Sequence, residues 1–165
     1  MIPAFAIVGY KKTGKTTLIE NLIRELSFRG YRVGTVKHDG HEFECDHPHT
    51  DTWRMRQAGA SVVVIASRSK WVLQDFQGSP SLENILTHIK GVDLVLVEGW
   101  KHSELPKIVL LHPKEDIFKN EALVNVRAIA APNDLVHLAP PGIQRYDRDD
   151  IRGLADCIIQ AIHPA

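Results

Sequence analysis

Gly9-Tyr-Lys-Lys-Thr-Gly14-Lys15-Thr16 sets two glycines, a lysine and a hydroxyl residue at the spacing G-x-x-x-x-G-K-[ST]. In that pattern a run of backbone N–H groups wraps the phosphates of a nucleotide. Gly9 and Gly14 carry no Cβ and accept positive φ, so the backbone turns tightly and comes close to phosphate oxygens. Lys15 directs a compact charge at the β- and γ-phosphates, and Thr16 offers a hydroxyl that can ligate magnesium. Tyr10, Lys11, Lys12 and Thr13 supply the intervening backbone. Chance would produce the four fixed positions in roughly one chain of this length in 200.

A second chemical group stands far along the chain. Val92-Asp-Leu-Val-Leu-Val-Glu98-Gly99 reads as a buried strand that delivers a carboxylate to its carboxyl end, where the magnesium-side acid of a phosphate-binding loop belongs. Glu98 would hold Mg²⁺ through a water or orient an attacking water; its plainer reading is a solvated strand-end residue. Asp93 starts the same strand and so falls at the wrong end of the sheet. Asp39, in Lys37-His38-Asp39, either reaches the phosphates as a second acid or is a turn aspartate. His38, His41, Cys45, His47 and His49 crowd one loop. Their spacing matches no zinc pattern, and a substrate or partner surface is the preferred reading.

These groups need elements to position them. Ala4 to Val8 is an apolar run ending at a glycine, as a buried parallel strand does before its loop. Leu18, Ile19, Leu22, Ile23 and Leu26 fall at helical spacing between Lys15 and Arg29, with Gly30 as the stop. Tyr31 to Lys37 predicts a strand, Asp51 to Ala58 a short helix, and Ser61 to Ser67 a buried strand with Trp71 to Phe76 returning as a hairpin. Ser79-Pro80 opens a helix that ends at Gly91. Leu94 to Val97, Lys107 to Leu111 and Val124 to Ala131 predict further strands, and Ile151 to Ile162 a closing helix. Strands alternating with amphipathic helices, opened by the phosphate-loop pattern at Gly9 to Thr16, predict an α/β chain of three-layer P-loop NTPase fold. It has a mostly parallel twisted sheet, helices on both faces and one antiparallel hairpin.

Composition narrows the partners. The 165 residues, 44% hydrophobic, are read as one globular domain, 1–165. Lys plus Arg and Asp plus Glu both number 20, so the basic excess of a nucleic-acid binder is missing. Met1 to Val8 is too short for a signal peptide's apolar region, and no apolar run approaches the ~20 residues of a membrane span. Two distant cysteines, Cys45 and Cys157, suit a reducing compartment, and a cytoplasmic protein with no membrane partner is expected.

The Gly9-Tyr10-Lys11 opening of the loop, Thr35-Val-Lys-His-Asp-Gly-His41, Arg56-Gln-Ala-Gly-Ala60 and Asp93-Leu-Val-Leu-Val-Glu-Gly99-Trp-Lys101 together resemble the molybdopterin-guanine dinucleotide biosynthesis adaptor family, MobB. The resemblance implies a homodimeric GTP-binding protein with weak Mg²⁺-dependent GTPase activity. Its partner would be the nucleotidyltransferase that joins GMP to molybdopterin, and molybdopterin itself is a further candidate ligand. It carries the phosphate-loop role to Gly9, Gly14, Lys15, Thr16 and Thr17 and the strand-end role to Glu98 and Gly99. His38, Asp39, Arg56 and Gln57 match family positions. The chain departs from the family at Asp46-His-Pro-His-Thr-Asp51, where members commonly carry Pro-Gly-Lys-Asp. The guanine-reading Asn-Lys-x-Asp is absent, with Pro132-Asn133-Asp134 as a partial echo, so GTP preference follows from the resemblance. Two other classes stay open. One is an ATP-dependent small-molecule kinase whose His38 to Asp51 loop seats an acceptor deprotonated by Asp39; the other is a non-hydrolysing partner-binding scaffold.

Overall fold

The computed structural model describes residues 2–163. In chain order the elements are β1 (Ala4–Val8), α1 (Lys15–Phe28), β2 (Val33–Lys37), α2 (Asp51–Gln57), β3 (Val62–Ala66), β4 (Trp71–Asp75), α3 (Leu82–His88), β5 (Leu94–Glu98), β6 (Lys107–Leu110), α4 (Ile117–Asn120), β7 (Val126–Ala131), β8 (Gln144–Asp147) and α5 (Ile151–Ile162). A 3-10 turn covers Asn133–Leu138. They form two units, one made of the residues up to His38 and from Leu86 onward, the other of Asp39–Ile85.

In the first unit β1 has no polar side chain, and all of its residues are buried. It lies inside a six-stranded sheet ordered β2-β5-β1-β6-β7-β8, in which every neighbouring pair is parallel. Near-continuous apolar strands are what a sheet covered on both faces requires. One face, through Phe5, Ile7, Leu96 and Ile108, packs in one core with Leu18, Leu22 and Leu26 of α1 and Leu154 and Ile158 of α5. Each such side chain taken out of water contributes about 1.5–3 kcal/mol. Residues of the opposite parity, Ala6, Val8, Val95, Val97 and Val109, are fully buried as well. From β1 the chain moves to β2 on one side, and from β5 it crosses to β6 on the other, which makes the carboxyl end of β1 a switch point.

Lys107, the first residue of β6, is fully buried and donates from Nζ to the carbonyls of Ser103 (2.7 Å) and Val124 (2.6 Å). Burial pushes its pKa down, with Glu104 opposing. These bonds tie the β5–β6 connection to the entrance of β7. At the same end of the sheet Asp93 is paired with Arg32, whose hydrogen bonds hold the carboxyl at a pKa of about 2. Asp93 therefore belongs to the amino ends of the strands, as its position before β5 implies.

In the second unit α2 is capped by Thr50, whose hydroxyl accepts from the Trp53 N–H, and β3 pairs with β4 in an antiparallel hairpin. The parallel α/β sheet and this hairpin are the expected fold class. One expectation needs correction: Ser61 to Ser67 is not a buried strand. Val62–Ala66 does form β3, yet only Val63 in it is buried. β-branched density favours pleated backbone whatever covers it, so it predicts the strand and not the burial.

Two elements escape the sequence patterns. β8 has the sequence Gln-Arg-Tyr-Asp and sits at the sheet edge, where no second neighbour demands apolar residues. Val124 to Ala131 is therefore not the last strand. The four-residue α4 is too short for a helical period and is set by Asp116, which accepts from the Phe118 and Lys119 N–H groups. Predicted strand ends also shrink: β7 starts at Val126 because Asn125 takes a left-handed φ of 54°.

Candidate functional site

The loop Gly9 to Gly14 leaves the carboxyl end of β1 and enters α1. Gly9 is needed for space, since a Cβ there would lie 2.9 Å from the Leu110 carbonyl oxygen and 3.0 Å from Thr13 Oγ1. Gly14 is needed for conformation, with φ 89° at the N-cap of α1. Lys12 holds φ 64°, a cost of order 1–3 kcal/mol that surrounding structure must over-determine. Part of that support is visible. The buried Thr13 hydroxyl donates to the Tyr10 carbonyl at 2.9 Å. The Tyr10 hydroxyl meets Asn120 Nδ2 at 3.1 Å, and the ring stands edge-on to His112.

Lys15 turns back over this loop, its Nζ donating to the carbonyls of Gly9 (3.0 Å) and Tyr10 (2.7 Å). Burial lowers its pKa, Glu98 raises it and Lys37 lowers it further. The ammonium is thereby held at the mouth of the loop. α1 has neither a side-chain cap nor an acidic residue in its first turn. By contrast α2, α4 and α5 are capped by Thr50, Asp116 and Asp150. The open N–H groups and positive dipole end of α1 form an anion-receptive surface.

Thr16 Oγ1 donates to Glu98 Oε2 at 3.0 Å. The fold thus brings together two oxygen donors of the kind Mg²⁺ takes, from the start of α1 and the end of β5. Thr17 is exposed on the same first turn, and Lys11 and Lys12 are exposed in the loop. Behind Glu98 the chain turns through Gly99, whose N–H donates to the Ile7 carbonyl, while His38 N–H donates to the Glu98 carbonyl. The His38 ring rests on Trp100 at 4.6 Å between centroids.

Other predicted residues have different surroundings. Asp39 lies in the second unit, where its carboxylate accepts from the His41 N–H. Asp46, in the segment where the chain departs from the MobB pattern, accepts from the Thr50 hydroxyl at 2.7 Å and so steadies the cap of α2. His49 packs on Trp53, and Cys45 is exposed. Among the described residues no three His, Cys, Asp or Glu side chains gather as a metal-binding group. Arg56 is engaged with Glu44 at 2.8 Å and lies over the Phe76 ring at 4.3 Å, a packing role inside its own unit. Sequence reasoning also passed over Arg148, which follows β8. Its Nη1 would be 3.6 Å from a Cβ on Gly14, and only recognition of that edge strand could have pointed to it.

A broad depression lined by Pro3, Tyr31, Ile89 and Val92 lies at the amino ends of the strands and contains none of the loop residues. Phosphate recognition by backbone N–H groups needs convergent donors more than volume, so the Gly9–Thr16 loop is the better candidate.

A parallel sheet, a glycine-bounded loop between its first strand and first helix, and a strand-end acid touching that helix define an α/β protein of P-loop-like fold. Residues 4–132 match the family model described as molybdopterin guanine dinucleotide synthesis protein B, and the chain belongs to that family. It is 34% identical to the molybdopterin-guanine dinucleotide biosynthesis adapter protein of Escherichia coli K12, over 97% of this chain and 93% of that one. The Haemophilus influenzae adapter protein is 43% identical over 69% of this chain and 65% of its own length. The crystal structure of Bacillus subtilis MobB superposes with a TM-score of 0.82 at 28% identity, covering 99% of this chain and all of that one (100%). A MobB homologue from Bacillus stearothermophilus gives 0.73 at 27% identity, covering 98% of this chain and 99% of that one.

Proposed function

We propose that this chain binds GTP with Mg²⁺ at Gly9 to Thr17 and serves, as a cytoplasmic homodimer, as an adaptor in molybdopterin guanine dinucleotide biosynthesis. The partner in this reading is the nucleotidyltransferase that attaches GMP to molybdopterin. The observation that carries the nucleotide site is the Thr16–Glu98 hydrogen bond beside a lysine folded over its own loop. Backbone N–H groups and Lys15 bind the phosphates, and Thr16 with Glu98 holds the ion, which neutralises phosphate charge when bound. In this reading Glu98 is committed with Thr16 to the ion and not to taking a proton from water, so hydrolysis is slow. Among the described residues no helix is long and apolar enough to cross a membrane.

Calorimetric titration with GTP and ATP, each with and without Mg²⁺, tests the assignment. Tighter binding of GTP in the presence of Mg²⁺ is the expected result. Preference for ATP would point instead to the kinase reading and an acceptor screen.

The hairpin supports the homodimer. Val64 and Leu73 face each other across its two strands at 54% and 41% exposure, and Trp71 on the same face is 62% exposed. Two strands with an uncovered apolar face are marginal alone, and such patches mark association surfaces. Val64→Lys with Leu73→Glu keeps an attractive cross-strand pair but removes the apolar face. Sedimentation should show the double variant as a monomer with GTP affinity within about twofold of wild type, because the phosphate-binding residues are untouched. A dimer unchanged by these substitutions would place the interface elsewhere.

A further inference from the structure

We propose that Arg148 contacts the phosphate chain of the bound nucleotide, supplying a cation from the loop after β8; this rests on the nucleotide reading above. Its Nη1 would lie 3.6 Å from a Cβ on Gly14, the residue that opens α1. The backbone beneath it is anchored: Arg148 N–H donates to the Ala131 carbonyl at 3.2 Å, fastening the end of β8 to the end of β7.

Asp147, Asp149 and Asp150 flank this arginine, and none of their carboxylates forms an ion pair with it. Asp147 instead accepts from the Asp149 N–H at 2.8 Å, and Asp150 from the Gly153 N–H at 3.0 Å as the cap of α5. No hydrogen bond or ion pair of the Arg148 guanidinium is found among the described residues. A planar donor fork beside an uncapped helix start matches phosphate oxygens in geometry and charge.

The test titrates pyrophosphate and GTP, both with Mg²⁺, into wild type, Lys15→Ala, Arg148→Gln and Arg148→Lys. Thermal unfolding serves as the folding control. Arg148→Gln is expected to weaken both ligands roughly tenfold or more, the scale of one charge-assisted bond, with Arg148→Lys recovering part of the loss. If Arg148→Gln weakens GTP but not pyrophosphate, the contact is to base or ribose and the phosphate assignment is overturned. If it binds both like wild type while Lys15→Ala does not, Arg148 is excluded and the loop site stands. If Lys15→Ala also binds like wild type, the loop site fails and the Arg148 contact fails with it.

Discussion

Lys15→Ala should lower GTP affinity by roughly 100-fold or more while the protein stays folded, the scale expected when a charged group with charge-assisted bonds to phosphate is removed. The ammonium is half-buried and already desolvated enough for its pKa to be lowered, so it meets a phosphate without a full hydration shell to shed. Its present partners are the Gly9 and Tyr10 carbonyls, and the Tyr10 carbonyl keeps the Thr13 hydroxyl as a donor when the lysine is removed. Thr13, the Tyr10–Asn120 bond and the tight fit of Gly9 against Leu110 still hold the loop. The stability change should therefore stay near ~1 kcal/mol. Calorimetry reads the affinity and thermal unfolding the stability. Wild-type affinity in a folded variant would remove the Gly9–Thr16 loop from consideration as the nucleotide site.

Glu98→Gln should slow GTP hydrolysis about 10- to 100-fold while changing affinity far less, a pattern that marks an interaction made mainly in the transition state. The amide that replaces the carboxylate keeps a carbonyl oxygen able to accept from the Thr16 hydroxyl, so the 3.0 Å contact and the end of β5 need not move. The negative charge beside Lys15, which at present raises the lysine's pKa, is lost. That loss favours phosphate at Lys15 and weakens the hold on the ion, opposed contributions that keep the net change in affinity small while turnover falls. Single-turnover hydrolysis measured alongside calorimetric affinity separates the two effects. Equal turnover by variant and wild type would leave Glu98 as a solvated strand-end residue.

The loop and its flanking elements were legible because their signals are local. The four fixed positions from Gly9 to Thr16, the apolar run of β1 and the helical period of α1 each lie within one turn or strand of the residues they explain. The strand-end position of Glu98 was legible for the same reason, since Leu94 to Val97 is an uninterrupted apolar run that ends at a carboxylate. Burial of the hairpin was not legible. A β-branched run states a backbone preference, whereas exposure depends on what else packs against the strand.

From the sequence alone come the phosphate-loop pattern, the parallel α/β class, the hairpin and the family resemblance. Each rests on residue type and short-range period, which chain chemistry imposes directly. Tertiary structure alone decided that Thr16 meets Glu98 across 82 positions, that β1 lies between β5 and β6, and that Asp39 falls in the second unit. It alone also showed that the polar segment Gln144–Asp147 completes the sheet and sets Arg148 beside Gly14. Strand order and edge pairing arise from backbone hydrogen bonds between distant segments, and those bonds leave little mark on side-chain pattern.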